Sequence, residues 1–294
     1  MPETPPKQQA AGNVRRAFNR AARTFDEYAV LHREIGERLF ERLAYMQIEP
    51  ALVMDLGAGT GHSARLLEKR YGSARILLVD IASAMLEKAR NQKRRWFSRA
   101  LFCCADAARL SLPDGMVDLV FSNLVLPWCE DLAAVFSECQ RVLRPGGLFI
   151  FSTFGPGTLS ELREAWARVD QHPHVGFFLD MHDVGDVLIR SGFSAPVLDR
   201  DNITLTYTEL QGLLRDLRGT GARNSHISRA QGLTGRSTFN ALAKAYEPRR
   251  EAGCLPATFE VVFGHAWKPL PNARAQDGST VSTFPLHQLT RRAP

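Results

Sequence analysis

Between Val53 and Gly61 the chain reads VMDLGAGTG. An apolar run ends on an acid, Asp55, and glycines follow at alternate positions, Gly57, Gly59 and Gly61, with Ala58 between the first two. Glycine permits the tight turn and close backbone approach that a bulky ligand requires. The run suits a strand and the following HSARLLEKRYG a helix, and in an open α/β sheet such a junction binds nucleotide-like ligands. The spacing is G-x-G-x-G behind an acid, whereas pyrophosphate sites favour G-x-G-x-x-G. Two further apolar runs also end in acids. RILLVD (75–80) closes on Asp80, next to Ile81. That is about 20 residues past the loop, where dinucleotide sites place a ribose-binding carboxylate. ALFCCAD (100–106) closes on Asp106, next to Ala107. Any one of these acids alone reads as a helix cap or a surface residue. Three at successive strand ends beside a glycine loop point to a nucleoside-type cofactor site.

The elements that position them follow from periodicity. VDLVFSN (117–123), ending in Asn123, is a fourth apolar run and LFIFSTF (148–154) a fifth. Between these two, Leu132, Val135, Phe136, Cys139, Val142 and Leu143 fall at helical spacing, and Pro145-Gly146-Gly147 stops that helix before the next strand. Short apolar strands alternating with amphipathic helices imply a mostly parallel sheet with helices on both faces. NITLTY (202–207) and ATFEVVFGHAW (257–267) raise the count to seven strands in one domain spanning 13–268. Residues 13–46 read as a long amphipathic helical segment ahead of the sheet, with Phe18 and Phe25 among its apolar positions and Tyr28 beside them. Helical insertions over 155–195 and 208–255 cap the site. Residues 1–12 are expected to be disordered and 269–294 a flexible tail.

Composition narrows the classes. The net charge is +6, but the basic residues are scattered and RNQKRRWFSR (90–99) is their one dense run, so no nucleic-acid partner is expected. No apolar run is long enough to span a bilayer, and MPETPPKQQAAG lacks the apolar core of a signal peptide. The expectation is a cytoplasmic protein without a membrane partner. Five cysteines with no C-x-x-C pair read as buried free thiols, and eight histidines without ligand spacing imply no metal site.

The Asp55 glycine loop resembles motif I of class I S-adenosylmethionine methyltransferases, in which the acid and loop face an amino acid moiety. The second half is more specific. SNLVLPWCEDL (122–132), FSTFGPGTLSELREAW (151–166), FLDMHDVGDVLIRSGF (178–193), LRDLRGTGARN (214–224), GLTGR (232–236) and LPATFEVVFGHAW (255–267) are similar to the biotin-pathway malonyl-acyl-carrier-protein O-methyltransferases, as is RRAFNRAARTFDEYA near the N-terminus. The resemblance runs from about Val14 to Lys268. It implies a Rossmann-like α/β fold with a helical substrate cap. S-adenosylmethionine would be the cofactor and S-adenosylhomocysteine the product. It also places Asp80 at the ribose hydroxyls, Asp106 near the adenine, and Asn123 where substrate and methyl group meet. Two departures from the family pattern, Pro127 before Trp128 in place of Gln and Gly176-Phe177 in place of Asn-Arg, bear on substrate contacts.

The implied activity is methylation of the free carboxylate of malonyl-acyl-carrier protein, or of malonyl-coenzyme A. A carboxylate, with a reference pKa of about 4, is already the nucleophile at neutral pH. No general base is required, and the sequence holds no catalytic triad. The substrate does need a group that orients it. Arg215, Arg218, Arg223 and Arg229 offer bidentate forks, or are solvated helix charges, and Tyr28 and Trp128 are candidates to wall off the transfer site. Three alternatives stand beside this reading: a respiratory-complex assembly factor that modifies a protein, a quinone-precursor methyltransferase, and a catalytically silent cofactor-binding partner.

Overall fold

The computed structural model describes residues 11–92, 100–222, 235–271, 273–274 and 280–281. The chain opens with α1 (Ala11–Ala21), α2 (Phe25–Tyr28) and α3 (Val30–Arg42). Strands and helices then alternate through β1 (Leu52–Leu56), α4 (His62–Arg70), β2 (Arg75–Asp80), α5 (Ser83–Gln92), β3 (Ala100–Cys104), β4 (Val117–Asn123), α6 (Leu132–Val142) and β5 (Leu143–Phe154). The second half contributes α7 (Ser160–Ala167), α8 (Met181–Arg190), β6 (Ser194–Tyr207), α9 (Leu210–Gly219), α10 (Arg236–Tyr246) and β7 (Leu255–Trp267).

Seven strands form one sheet in the order β3-β2-β1-β4-β5-β7-β6, with β7 antiparallel to both its neighbours. The chain builds outward from β1 to β3 on one side, then crosses to β4 on the other. The connections leaving β1 and β4 therefore diverge and open a crevice at the carboxyl ends of these strands. The apolar runs alternate between two cores. Val53, Ile76, Leu78, Leu119 and Phe121 pack with Ile35 and Leu39 of α3 and Leu67 of α4. Met54, Leu77, Val79, Val120 and Phe149 pack with Phe136 of α6 and Leu188 of α8. Burial on both faces is what a continuous apolar run in a parallel strand requires. The outer strand β6 alternates instead, and charge protects that edge: Arg38 lies 2.5 Å from Asp201 and Arg42 2.6 Å from Asp199.

Three local features differ from the periodicity. The N-terminal helical segment is broken at Ala22–Thr24 and again at Ala29. Thr24 Oγ1 donates to Ala21 O at 3.3 Å and to Gly219 O at 3.0 Å, which ends α1 and turns the chain across the sheet. The helix before β5 stops at Val142, and Leu143 already pairs with Val117. Pro145-Gly146-Gly147 therefore lies within the irregular start of β5, where the register with β4 shifts, and not in a turn ahead of it. In the tail, Ala273–Arg274 pairs antiparallel with Thr280–Val281, so a stretch without sequence pattern carries a short two-stranded ladder. The five cysteines are free thiols, but only Cys139 is buried as expected; Cys103, Cys129 and Cys254 are half-buried, and Cys104, on edge strand β3, is exposed. Among the described residues no helix is long and apolar enough to cross a membrane.

Gly264 of β7 lies against the Phe151 ring, and a Cβ there would stand 2.4 Å from Cζ. Phe151 is fully buried and stacked on Phe149 with centroids 4.9 Å apart, so it has little room to yield. Gly264→Ala is expected to destabilise the protein by about 1–3 kcal/mol through overpacking. The measurement is a lowered urea midpoint at unchanged slope.

Candidate active site

The loop after β1 is shaped by backbone hydrogen bonds that only a chain free of side-chain obstruction can make. Gly57 and Ala58 N–H both donate to Val79 O, at 2.7 and 3.0 Å. Gly57 adopts φ +72°, and a Cβ on it would fall 1.9 Å from Val125 Cγ2. Gly61, at φ +82°, precedes the first residue of α4. Asp80, at the end of β2, ties this loop to the next: Gly59 N–H donates to Oδ2 at 2.9 Å and Ala82 N–H to Oδ1 at 2.8 Å. Burial pushes the Asp80 carboxyl up to about 6, against the opposing pull of these two donors. Asp55 is buried in β1 just before the loop. Asp106 closes an Asx-type turn, accepting from Ala108 N–H at 3.0 Å, beside the buried Ala107. Ile81 O accepts from the Cys104 thiol.

The N-terminal helices form a roof over these strand ends. Asn19 Oδ1 accepts from Ala84 N–H at 2.9 Å, at the start of α5, and Phe18 meets Trp128 edge to face at 5.2 Å. Asp26 is the clasp. It accepts from Thr60 Oγ1 of the glycine loop at 2.5 Å and from Gln92 at 2.7 Å, and pairs with Lys88 at 3.0 Å. Burial opposes its ionisation, but the bonds from Thr60, Lys88 and Gln92 and the Lys88 charge hold it below the usual carboxylate range. On its other side the roof meets the cap: Tyr28 packs so closely on Gly219 that a Cβ there would stand 2.2 Å from Cδ2.

Two cavities lie beneath this roof. The first, about 780 Å³ with its open mouth, is lined by Gly57, Ala58, Gly59 and Thr60 of the loop, Asp26 and Arg33 of the roof, Arg65 of α4, and Asn123. The second, about 1010 Å³ with its mouth, is mostly apolar, with Leu31, Phe154, Leu159, Phe178, Leu205 and Phe259 on its walls. His32 lines both.

The candidate residues divide between these places. Gly57, Ala58 and Gly59 line the first cavity, Asp80 joins them through its bond from Gly59 N–H, and Asp55 is buried in β1 just before the loop, away from the lining. Asn123 lines the first cavity too, but its amide is committed: Nδ2 donates to His32 O at 2.9 Å and Oδ1 accepts from Ser152 Oγ at 2.8 Å. Tyr28, Trp128 and both departures, Pro127 and Gly176, line the second cavity. Arg215 and Arg218 are exposed, while Asp216, Leu217 and Thr220 are the α9-end residues that face the cavity. Arg223 and Arg229 lie outside the described residues. Asp26, His32, Arg33 and Arg65 escaped the sequence pattern. They sit on helices whose apolar positions carry the periodicity, and no motif marks their polar positions.

The first cavity suits S-adenosylmethionine. Its glycine cradle has backbone where side chains would obstruct, and Arg33, Arg65 and Asp26 on its walls supply both signs of charge for an amino acid zwitterion. Fold and site together define an S-adenosylmethionine-dependent methyltransferase, and residues 54–151 match the family model described as "Methyltransferase domain". A putative methyltransferase from Bacillus halodurans shares the fold, with a TM-score of 0.57 at 16% identity over 78% of this chain and 97% of that one. Full-length relatives are more informative. The malonyl-[acyl-carrier protein] O-methyltransferase of Gallionella capsiferriformans is 44% identical, covering 92% of this chain and 95% of its own. That of Methylovorus sp. is 47% identical, covering 92% and 93%. The chain belongs to the malonyl-[acyl-carrier protein] O-methyltransferase family.

On the proposal that Asp80 holds the cofactor ribose, its ionised form is the better acceptor of the diol's hydrogen bonds. Its pKa of about 6 places the protonated form below that pH. Affinity for S-adenosylmethionine should therefore fall as the pH drops through about 6, and Asp80→Asn should bind about tenfold more weakly at neutral pH with that dependence flattened. Calorimetric titration at about pH 5 and about pH 7.5 checks both expectations. Asp26→Ala removes the clasp and should weaken cofactor binding by about 3- to 10-fold while the melting temperature falls only slightly. The same titration and a thermal melt separate the two effects.

Proposed function

We propose that this chain transfers the methyl group of S-adenosylmethionine to the free carboxylate of malonyl-acyl-carrier protein, forming the methyl ester that enters biotin synthesis. The observation that carries the reading is an apolar acyl cavity adjoining the cofactor recess across a shared wall, in a chain 44–47% identical to relatives of that name. When bound, S-adenosylmethionine supplies a sulfonium methyl, which passes to a carboxylate oxygen as the electron pair of the carbon–sulfur bond returns to sulfur. No proton moves, so the protein needs no acid or base.

The tasks left to the side chains are alignment and exclusion of water. Trp128, Phe154, Phe178 and Phe259 furnish the apolar walls. The roof, clasped by Asp26 and braced by Thr24 on Gly219, closes the site. Asp80, the glycine loop, Arg33 and Arg65 hold the cofactor in this reading, with Asp106 and Ala107 on the base side. An acidic carrier protein suits a chain of net charge +6. A cytoplasmic location belongs to the same reading, since the carrier substrate of fatty acid synthesis is found there.

The test is methyl transfer from labelled S-adenosylmethionine to malonyl-carrier protein, with acetyl-carrier protein as the control. Base-labile label on the malonyl form alone is the expected result. Binding of S-adenosylmethionine without transfer to malonyl-carrier protein would retain the cofactor site and refute the substrate.

A further inference from the structure

The acyl cavity poses a problem of charge. Its proposed substrate is an anion, yet among the described residues no lysine or arginine lines it. It does contain a carboxylate, Asp216, which repels a second one. Most of its other polar groups are engaged. Tyr207 Oη donates to Asp216 at 3.0 Å, Thr220 Oγ1 to Asp216 O at 3.0 Å, and Thr158 Oγ1 to Glu260 O at 2.9 Å. His174 is stacked on Trp166, with centroids 3.5 Å apart, and its Nε2 lies 2.8 Å from Asp170.

His32 differs. It lies in the first turn of α3, on the wall common to both cavities, and its main-chain oxygen is fixed by Asn123. Its ring is set edge to face against Phe25 at 5.2 Å. Its Nδ1 is buried without a hydrogen-bond partner. Burial, helped by the Arg33 charge, lowers its pKa to about 4, so the imidazole is neutral in the working range. A neutral imidazole has one N–H, and a buried N–H without an acceptor is the costlier arrangement, so the proton belongs on Nε2.

We propose that His32 contacts the substrate carboxylate, its Nε2–H donating the hydrogen bond that turns the attacking oxygen toward the cofactor recess. The inference rests on malonyl-carrier protein being the substrate and assigns the contact that orients it. A neutral donor suits this reaction better than an arginine fork. It orients the anion without neutralising it, so less nucleophilicity is lost, and it attracts the product ester weakly once the charge is gone. Asp216, which lines the acyl cavity and not the cofactor recess, drives the carboxylate the same way.

The experiment compares the parent protein with His32→Phe and His32→Gln. Activity of the parent on malonyl-carrier protein tests the substrate reading first, and a parent inactive on it overturns both that reading and this one. With an active parent, His32→Phe should lower kcat/KM by about 10- to 100-fold, a loss well beyond any change in the S-adenosylmethionine Kd. His32→Gln, which keeps an N–H donor, should recover most of that loss. Equal impairment of the two variants, or a His32→Phe enzyme as active as the parent, overturns the proposal. A measurement on the parent covers the case in which a variant does not fold. With S-adenosylhomocysteine bound, the imidazole ¹⁵N resonances of His32 should shift on adding malonyl-carrier protein and not on adding acetyl-carrier protein. Unchanged resonances overturn it equally.

Discussion

The upper rim of the sheet depends on one carboxylate. Asp80 receives Gly59 N–H on one oxygen and Ala82 N–H on the other, and so ties the loops leaving β1 and β2 to each other. Without it the glycine loop would keep its freedom and lose its shape, since residues chosen for permissive backbone do not hold a conformation themselves. The raised pKa records the cost of burying an anion there, which the two backbone donors only partly offset.

The second constraint is closure from two sides. A carboxylate and a sulfonium react only when both are dehydrated and aligned, which neither the sheet nor the glycine loop can arrange alone. The N-terminal roof touches the glycine loop through Asp26 and the cap through Thr24 and Tyr28. His32 follows directly from this piece of chain, so the segment that closes the site also carries the ring on the wall between the two cavities.

Strands, their order of appearance and the strand-end acids were legible in the sequence, because a parallel strand buried on both faces leaves an unmistakable apolar run and its polar terminus marks where the sheet meets solvent. The breaks in the N-terminal helix were not. Thr24 ends α1 through a bond to Gly219, a contact 195 residues distant that leaves no trace in local periodicity. The arginines of α9 show how charge and fork geometry read without helical phase fall short of a placement. Their charge and fork geometry suited a carboxylate, but helical phase turns Leu213 into the core and Asp216 and Leu217 toward the cavity, and leaves Arg215 and Arg218 exposed. His32 carried no motif. It reads as one more polar position between the apolar Leu31 and Ile35, and only the three-dimensional placement of its unpartnered nitrogen distinguishes it.

The bond from Thr24 to Gly219 also bears on the order of folding. The roof precedes the sheet in the chain and leaves the ribosome before it, yet one of its supports is the end of α9. Long-range contacts of this kind form late, because the loop they close must be ordered first. The strands from β1 to β5 can pair while synthesis continues, with the N-terminal helices still lacking the cap. The N-terminal helices thus complete the active site only after a partner 195 residues further along has been made, which separates the birth of the fold from the birth of the catalyst.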